Sequence, residues 1–292
     1  MCKICYVPQL EKPKGVYAMA MEGIVYINKK YTTGETITIQ FKDFSQKEKD
    51  FVMNAALEWL KYANLKFKVI DGFDTANIRI TANPNLGSWS YLGTDSTYVR
   101  RGQATMNFGW LAQDMLTNDH STILHEFGHG ALAMPHEHQN PYEPIQWDRE
   151  KVYKRFGGAP NFWDKKTIDH NILNVLSTEG ISATPLDKNS IMAYFFDADL
   201  TLNGVGMPQN KVLSETDKAF AAAQYPYPDE PEVNVNVELK RFLSHYFLNS
   251  IYINRATKQQ LLICLGWLSI DVNPTDSKEK LLTILKEAIK NI

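Results

Sequence analysis

The chain has 292 residues, 44% hydrophobic and 12% aromatic, a composition that supports a large packed core. Its 31 basic and 33 acidic side chains leave a formal net charge of -2, so no bulk field points to a nucleic-acid or membrane partner. Three cysteines, Cys2, Cys5 and Cys264, are too few and too scattered for a disulfide framework.

The N-terminus lacks a basic start followed by an apolar core, and no run of about 18 apolar residues occurs. Sec-type export and membrane anchoring are therefore not expected, which leaves the cytoplasm or a non-Sec route. Residues 1–35 show no firm period, and Cys2-Lys3-Ile4-Cys5 lacks the second pair a metal site needs, so this segment reads as a frayed terminus. Residues 36–41 alternate with period two and predict a strand. Ser45 and Glu48 form a capping box, and Phe51, Ala55, Trp59 and Tyr62 recur at helical spacing, predicting a helix over 46–63. Residues 65–70 and 77–81 alternate again, with Asp71-Gly72 as a turn between them. The opening is thus mixed α/β.

Residues 87–94 are aromatic and loop-like, and 104–108 alternate just ahead of the next helix. If the 104–108 strand lies at a sheet edge, it offers an extended peptide a place to add; otherwise it is an ordinary sheet strand. Asn118 and Asp119 supply a cap and a first-turn acid, and Ile123, Phe127 and Ala131 mark the apolar stripe of the helix that follows.

On that helix stands His125-Glu126-Phe127-Gly128-His129. Residues four apart share a helix face, so both imidazoles reach a single ion and the Glu126 carboxylate stands beside it, the H-E-x-x-H arrangement of zinc hydrolases. His136-Glu137-His138 follows. On an unbroken helix His136 would lie about 10 Å beyond His129, too far to share an ion. The chain must turn back, and Pro135 supplies the stop because it disfavours helical geometry at Met134 and lacks an amide donor.

This block resembles the metzincin zinc peptidases, closest to the astacin-like branch with its bacterial and fungal relatives, whose pattern is H-E-x-x-H-x-x-G-x-x-H-E. The resemblance implies His125, His129 and His136 as zinc ligands and Glu126 as general base, with Glu137 a structural carboxylate. His138 is the competing third ligand, but His136-Glu137 fits the family's His-Glu pair. The chain departs from the pattern by one extra residue between His129 and His136, and Leu132 stands where the family has glycine. The turn is expected to be rebuilt around Ala133-Met134-Pro135. Ser190-Ile191-Met192-Ala193-Tyr194 resembles the family's Met-turn, which implies Met192 as a floor beneath the histidines and Tyr194 as a group that reaches the metal or the reacting carbonyl.

The resemblance spans about residues 37–226. His170 lies far from the cluster in sequence and reads as a hydrogen-bonded structural histidine, and Ser214 with Asp217 caps a last helix over 219–224. Residues 225–232 carry Pro226, Pro228 and Pro231, a density that precludes a helix and favours a stiff extended linker. Beyond it, 237–248, 258–268 and 277–289 read as three short amphipathic helices. Acids dilute their lysines, so docking on the catalytic domain or on a protein partner is expected of them rather than nucleic-acid binding.

The expected fold is α+β, a two-lobed metzincin-type peptidase with a mixed sheet and an active-site helix, plus a small all-α C-terminal domain. The expected boundaries are an N-terminal segment 1–35, a catalytic domain 36–228, a linker 229–236 and a helical domain 237–292. The expected function is zinc-dependent (Zn2+) endopeptidase acting on a peptide or protein substrate. The alternative is a binding protein on the same scaffold whose altered turn has impaired catalysis.

Overall fold

A computed structural model describes residues 5–8, 24–72, 74–159, 161–183, 185–227, 258, 261–262, 265, 270, 272–273 and 275–290. In chain order its strands are β1 (Cys5–Tyr6), β2 (Val25–Tyr26), β3 (Thr36–Phe41), β4 (Lys66–Val69), β5 (Ile78–Thr81), β6 (Ser88–Ser90), β7 (Met106–Phe108) and β8 (Ile181–Ser182). Six of them form one sheet in the order β1-β6-β7-β5-β3-β4, and β2 pairs with β8. Within the sheet only β6 and β7 are antiparallel; every other neighbouring pair is parallel. The parallel strands are rich in β-branched residues, and Ile37, Ile39, Ile78 and Ile80 are all buried.

Helix α1 (Gln46–Ala56) starts on the expected capping box: the Ser45 hydroxyl accepts from the Glu48 amide, and the Glu48 carboxylate accepts from the Ser45 amide. It ends earlier than the helical spacing over 46–63 predicts. A tighter turn at Trp59–Lys61 follows, which lets the buried Trp59 indole donate to the Leu124 carbonyl at 2.9 Å. A short helix absent from the sequence reading, α2 (Leu111–Thr117), comes next and ends at Asn118 in the left-handed region. Asn118 therefore closes α2 rather than opening the following helix. That role falls to Asp119, whose carboxylate accepts from both the amide and the hydroxyl of Ser121.

Helix α3 (Ser121–Leu132) is buried along its whole length. After it come α4 (Arg149–Gly157), α5 (Lys165–Ile168) running into a π-helical turn at Asp169–Leu173, and α6 (Glu215–Gln224) on the Ser214–Asp217 capping box. Helix α6 begins four residues before the expected 219 because the box opens it directly at Glu215. Two buried apolar clusters result. One gathers Ile37, Trp59, Ile80, Met106, Phe127 and Met192 between the sheet and α3. The other gathers Val152, Phe156, Ile172, Tyr194 and Phe196. Residues 191–194 run from the first cluster into the second.

The chain divides into two compact units, Met1–Tyr227 and Pro228–Ile292. In the second, α7 (Lys278–Lys290) buries Leu281 and Leu285, and Leu261 and Leu265 are buried as well. The expected linker over 229–236 and the helix over 237–248 lie outside the described residues. No described helix is long and apolar enough to cross a membrane.

Candidate metal centre

The apolar stripe of α3 buries Ile123, Phe127 and Ala131 against the first cluster, which fixes the rotation of the helix and aims His125 and His129 together. Helix α3 then ends without a glycine. Leu132 stays helical, and Ala133 takes the left-handed conformation at φ 60°. The Ala133 amide donates to the His129 carbonyl at 3.1 Å and the Met134 amide to the Gly128 carbonyl at 3.0 Å, which satisfies the last carbonyls of the helix. The extra residue thus moves the turn one position along. Pro135 then leads into His136 in extended conformation, and the Glu137 amide donates to the Met192 carbonyl at 3.0 Å.

The result is a cluster of three imidazoles. His129 Nε2 lies 3.1 Å from both His125 Nε2 and His136 Nε2, and all three rings are buried. His125 Nδ1–H donates to the Ile191 carbonyl at 2.7 Å, and His129 Nδ1–H donates to the Met134 carbonyl at 2.5 Å. With their protons on Nδ1, these two rings present Nε2 lone pairs to each other. Burial keeps the rings neutral: it pushes His125 down to about 4, and His129 and His136 well below their ordinary value. Neutral imidazoles with converging lone pairs and carbonyls holding the outer nitrogens are the donor set of zinc.

His138 is not part of this cluster. Its Nε2–H donates to the Asn171 carbonyl at 2.8 Å, and its ring packs 4.4 Å from that of Tyr194 and 5.1 Å from that of His136. Burial lowers its pKa to about 3. His170 lies elsewhere too, bonded at Nε2 to the Val7 carbonyl at 3.2 Å.

Glu126 is fully buried and lines, with His125 and Tyr194, one pocket at the N-terminal end of α3. The Tyr194 ring stands 4.2 Å from that of His136. Met192 lies against α3 at Gly128, where a Cβ would come within 2.3 Å of the Met192 Sδ.

One buried carboxyl braces residues 190–191, and a second ties the 137–140 turn to Asp187. Asp217 accepts from the Ile191 amide at 2.8 Å, the Ser190 hydroxyl at 2.7 Å and the Ser214 amide at 2.9 Å; burial raises its pKa to about 6. The Ile191 it holds is the residue whose carbonyl orients His125. Glu137 accepts from Asn140 Nδ2 at 3.0 Å and the Asp187 amide at 3.1 Å, and burial raises it well above its ordinary value. Sequence reasoning took Asp217 only as a helix cap and passed over Asp187 and Asn140. The Ser214-x-x-Asp217 signal was present, but its partners lie 26 or 27 residues away.

The strand ahead of the site differs from expectation. β7 is an inner strand between β6 and β5, so the 104–108 segment is not an edge. The residues read as a loop include β6, whose outer side is taken by β1: Cys5 and Tyr6 pair in parallel with Ser88 and Trp89. The Val7 amide donates to Asn171 Oδ1 at 2.9 Å. Residues 5–8 are therefore tied into the unit on two sides instead of forming a frayed end.

Comparison with solved structures finds two of myroilysin. One is 40% identical, covers 70% of this chain and 99% of its own, and superposes with a TM-score of 0.66. The other is 35% identical, covers 77% of this chain and 92% of its own, with a TM-score of 0.52. No protein-family model and no curated protein matches the chain.

Proposed function

The chain belongs to the astacin-like family of zinc metallopeptidases, and from that premise we propose that it is an endopeptidase with His125, His129 and His136 as its zinc ligands. The observation that carries this reading is the convergence of the three Nε2 atoms, with two outer nitrogens held by backbone carbonyls.

Bound there, zinc would supply Lewis acidity, polarising a peptide carbonyl and lowering the pKa of a water from about 16 toward about 7. Glu126 is the general base. Its buried carboxylate, one residue from His125 in the same pocket, takes the proton of the attacking water and later hands it to the leaving amine. The Tyr194 hydroxyl donates to the oxyanion that develops on the carbonyl. Met192 is the floor against which the histidine-bearing helix is seated, and Asp217 accepts from the amide of Ile191, whose carbonyl orients His125.

The two apolar clusters are read as two lobes joined through the Met-turn, and the C-terminal unit as a small helical domain that binds protein rather than nucleic acid. Placement among the bacterial and fungal members of the family rests on the motif block alone. The impaired binding scaffold is not favoured, since Ala133 absorbs the extra residue while the three imidazoles stay together. The test is Glu126→Ala, assayed for zinc and for cleavage of an unfolded protein with and without a chelator. Retained zinc with lost cleavage supports the mechanism; undiminished cleavage refutes it.

A further inference from the structure

The pocket beside Glu126 holds polar groups for which the catalytic steps have no use. Ser88, the first residue of β6, is 1% exposed, and its hydroxyl has no hydrogen-bond partner. The indole Nε1 of Trp110, just before α2, is buried and likewise without a partner. Both residues line the pocket that Glu126 and His125 line. Native proteins satisfy nearly all buried polar groups, so two unmet donors in one pocket mark the place of an absent partner. An indole N–H can only donate, and a serine hydroxyl beside it can do the same. What completes the pair is therefore an acceptor.

The other walls agree. Ser121 and Thr122, in the first turn of α3, line the same pocket, where the helix end favours an acceptor. The Asn210 amide is already committed, donating to the Lys188 and Ser190 carbonyls at 2.8 Å each. Among the described lining residues none carries a positive charge, while Glu126 brings a carboxylate. Lys211, next to the lining residue Asn210, is paired with Asp119 at 3.6 Å. Zinc at the three histidines would draw a substrate carboxylate onto the metal, and no lysine or arginine among these described walls would hold it beside Ser88 and Trp110 instead. An aliphatic side chain would leave both donors unmet. A neutral amide brings a carbonyl acceptor without a charge, and its NH2 finds the hydroxyl oxygens of Ser121 and Thr122 in the same walls.

We infer that this pocket is a specificity site for asparagine or glutamine next to the scissile bond of the substrate, read by Ser88 Oγ and Trp110 Nε1. The inference rests on the peptidase reading, and its test separates the two. Peptides identical except for Gln, Glu or Leu on either side of the scissile bond are compared as substrates of the zinc-loaded full chain. The Gln peptide is expected to exceed both others in kcat/KM by about tenfold or more at one of the two positions, since a site built to bond a polar group rejects analogues lacking it. Ser88→Ala and Trp110→Phe, each checked for an unchanged circular-dichroism spectrum, are expected to bring the Gln-to-Leu ratio to within about threefold of unity. The same peptides are titrated by calorimetry into the Glu126→Gln protein, where binding is expected in the same order. Cleavage with equal kcat/KM for all three peptides overturns the subsite and leaves the peptidase standing. If no peptide is cleaved, the peptidase reading fails and the calorimetric order decides the pocket: Gln first supports it, no preference overturns it.

Discussion

Gly128 and Met192 pack so closely that a Cβ on Gly128 would lie 2.3 Å from the Met192 Sδ and 3.1 Å from its Cε. No side chain other than hydrogen fits between the histidine-bearing helix and the Met-turn at this point. The contact couples two segments 64 positions apart, since Gly128 precedes His129 and Met192 follows the Ile191 that orients His125.

Gly128→Ala is accordingly expected to push Met192 away from α3. Overpacking of this kind costs about 1–3 kcal/mol, which lowers the melting temperature of a unit this size by roughly 5 °C. Zinc retention after dialysis should fall with it. Wild-type melting and zinc content in this variant would show that the Met-turn does not depend on the bare glycine.

The two candidate third ligands are separated by substitution. His136→Ala should lose stoichiometric zinc, because its Nε2 is one of the three that converge. His138→Ala should keep the metal and instead lose about 1–3 kcal/mol of stability, having given up a buried bond to the Asn171 carbonyl. Elemental analysis and urea denaturation read the two effects; equal zinc in both variants contradicts the assignment.

The metal-free protein should lose stability as the pH falls from 6.5 toward 4. His125, His129 and His136 are held neutral when folded, whereas an unfolded chain takes up protons below about 6.5. Between those limits the unfolded state binds more protons, so acid favours it. His125, lowered from 6.5 to about 4, accounts for on the order of 3 kcal/mol by itself. Asp217 acts with the opposite sign: raised from 3.8 to about 6, it contributes stability below pH 3.8 that is lost as the pH rises through 6. Asp217→Asn should therefore steepen the rise in stability between pH 4 and 6.5, measured by urea denaturation in chelator. Glu137, also raised by burial, acts in the same sense as Asp217, so it is a profile still flat in an Asp217→Asn, Glu137→Gln protein that would count against neutral buried imidazoles.

β1 covers the outer side of β6, and Ser88 of β6 lines the pocket. An extended peptide that adds to β6 must compete with residues 5–8 for the same backbone groups. Removal of residues 1–8 should raise kcat/KM toward peptides without changing zinc content. An unchanged or lower kcat/KM would place peptide binding away from the β6 edge.

Much of the site is legible in local spacing. The i, i+4 histidines and the apolar stripe at Ile123, Phe127 and Ala131 depend only on helix geometry, and Ser45–Glu48 and Ser214–Asp217 are local caps. The strands at 36–41 and 77–81 are likewise visible from alternation and β-branching. What could not be read depends on partners distant in sequence or on unfavoured backbone. A left-handed Ala133 has no signature in residue type, and it fits because Gly93 packs against it, where a Cβ would lie 2.7 Å from that of Ala133. Asn118 is at home at either end of a helix, so its place was assigned to the wrong one. Helix α2 is only seven residues long, too short for periodicity to stand out. The pairing of Cys5 and Tyr6 with β6 joins residues 83 positions apart and leaves no trace in a two-residue strand.

The most direct measurement is zinc stoichiometry and proteolysis on the same preparations of the unmutated chain and its His125→Ala, His129→Ala and His136→Ala variants. The expected result is about one zinc per unmutated chain and chelator-sensitive cleavage, with both lost in every variant. Full zinc occupancy in the His136→Ala protein, or cleavage that survives the chelator, would contradict the three-histidine centre.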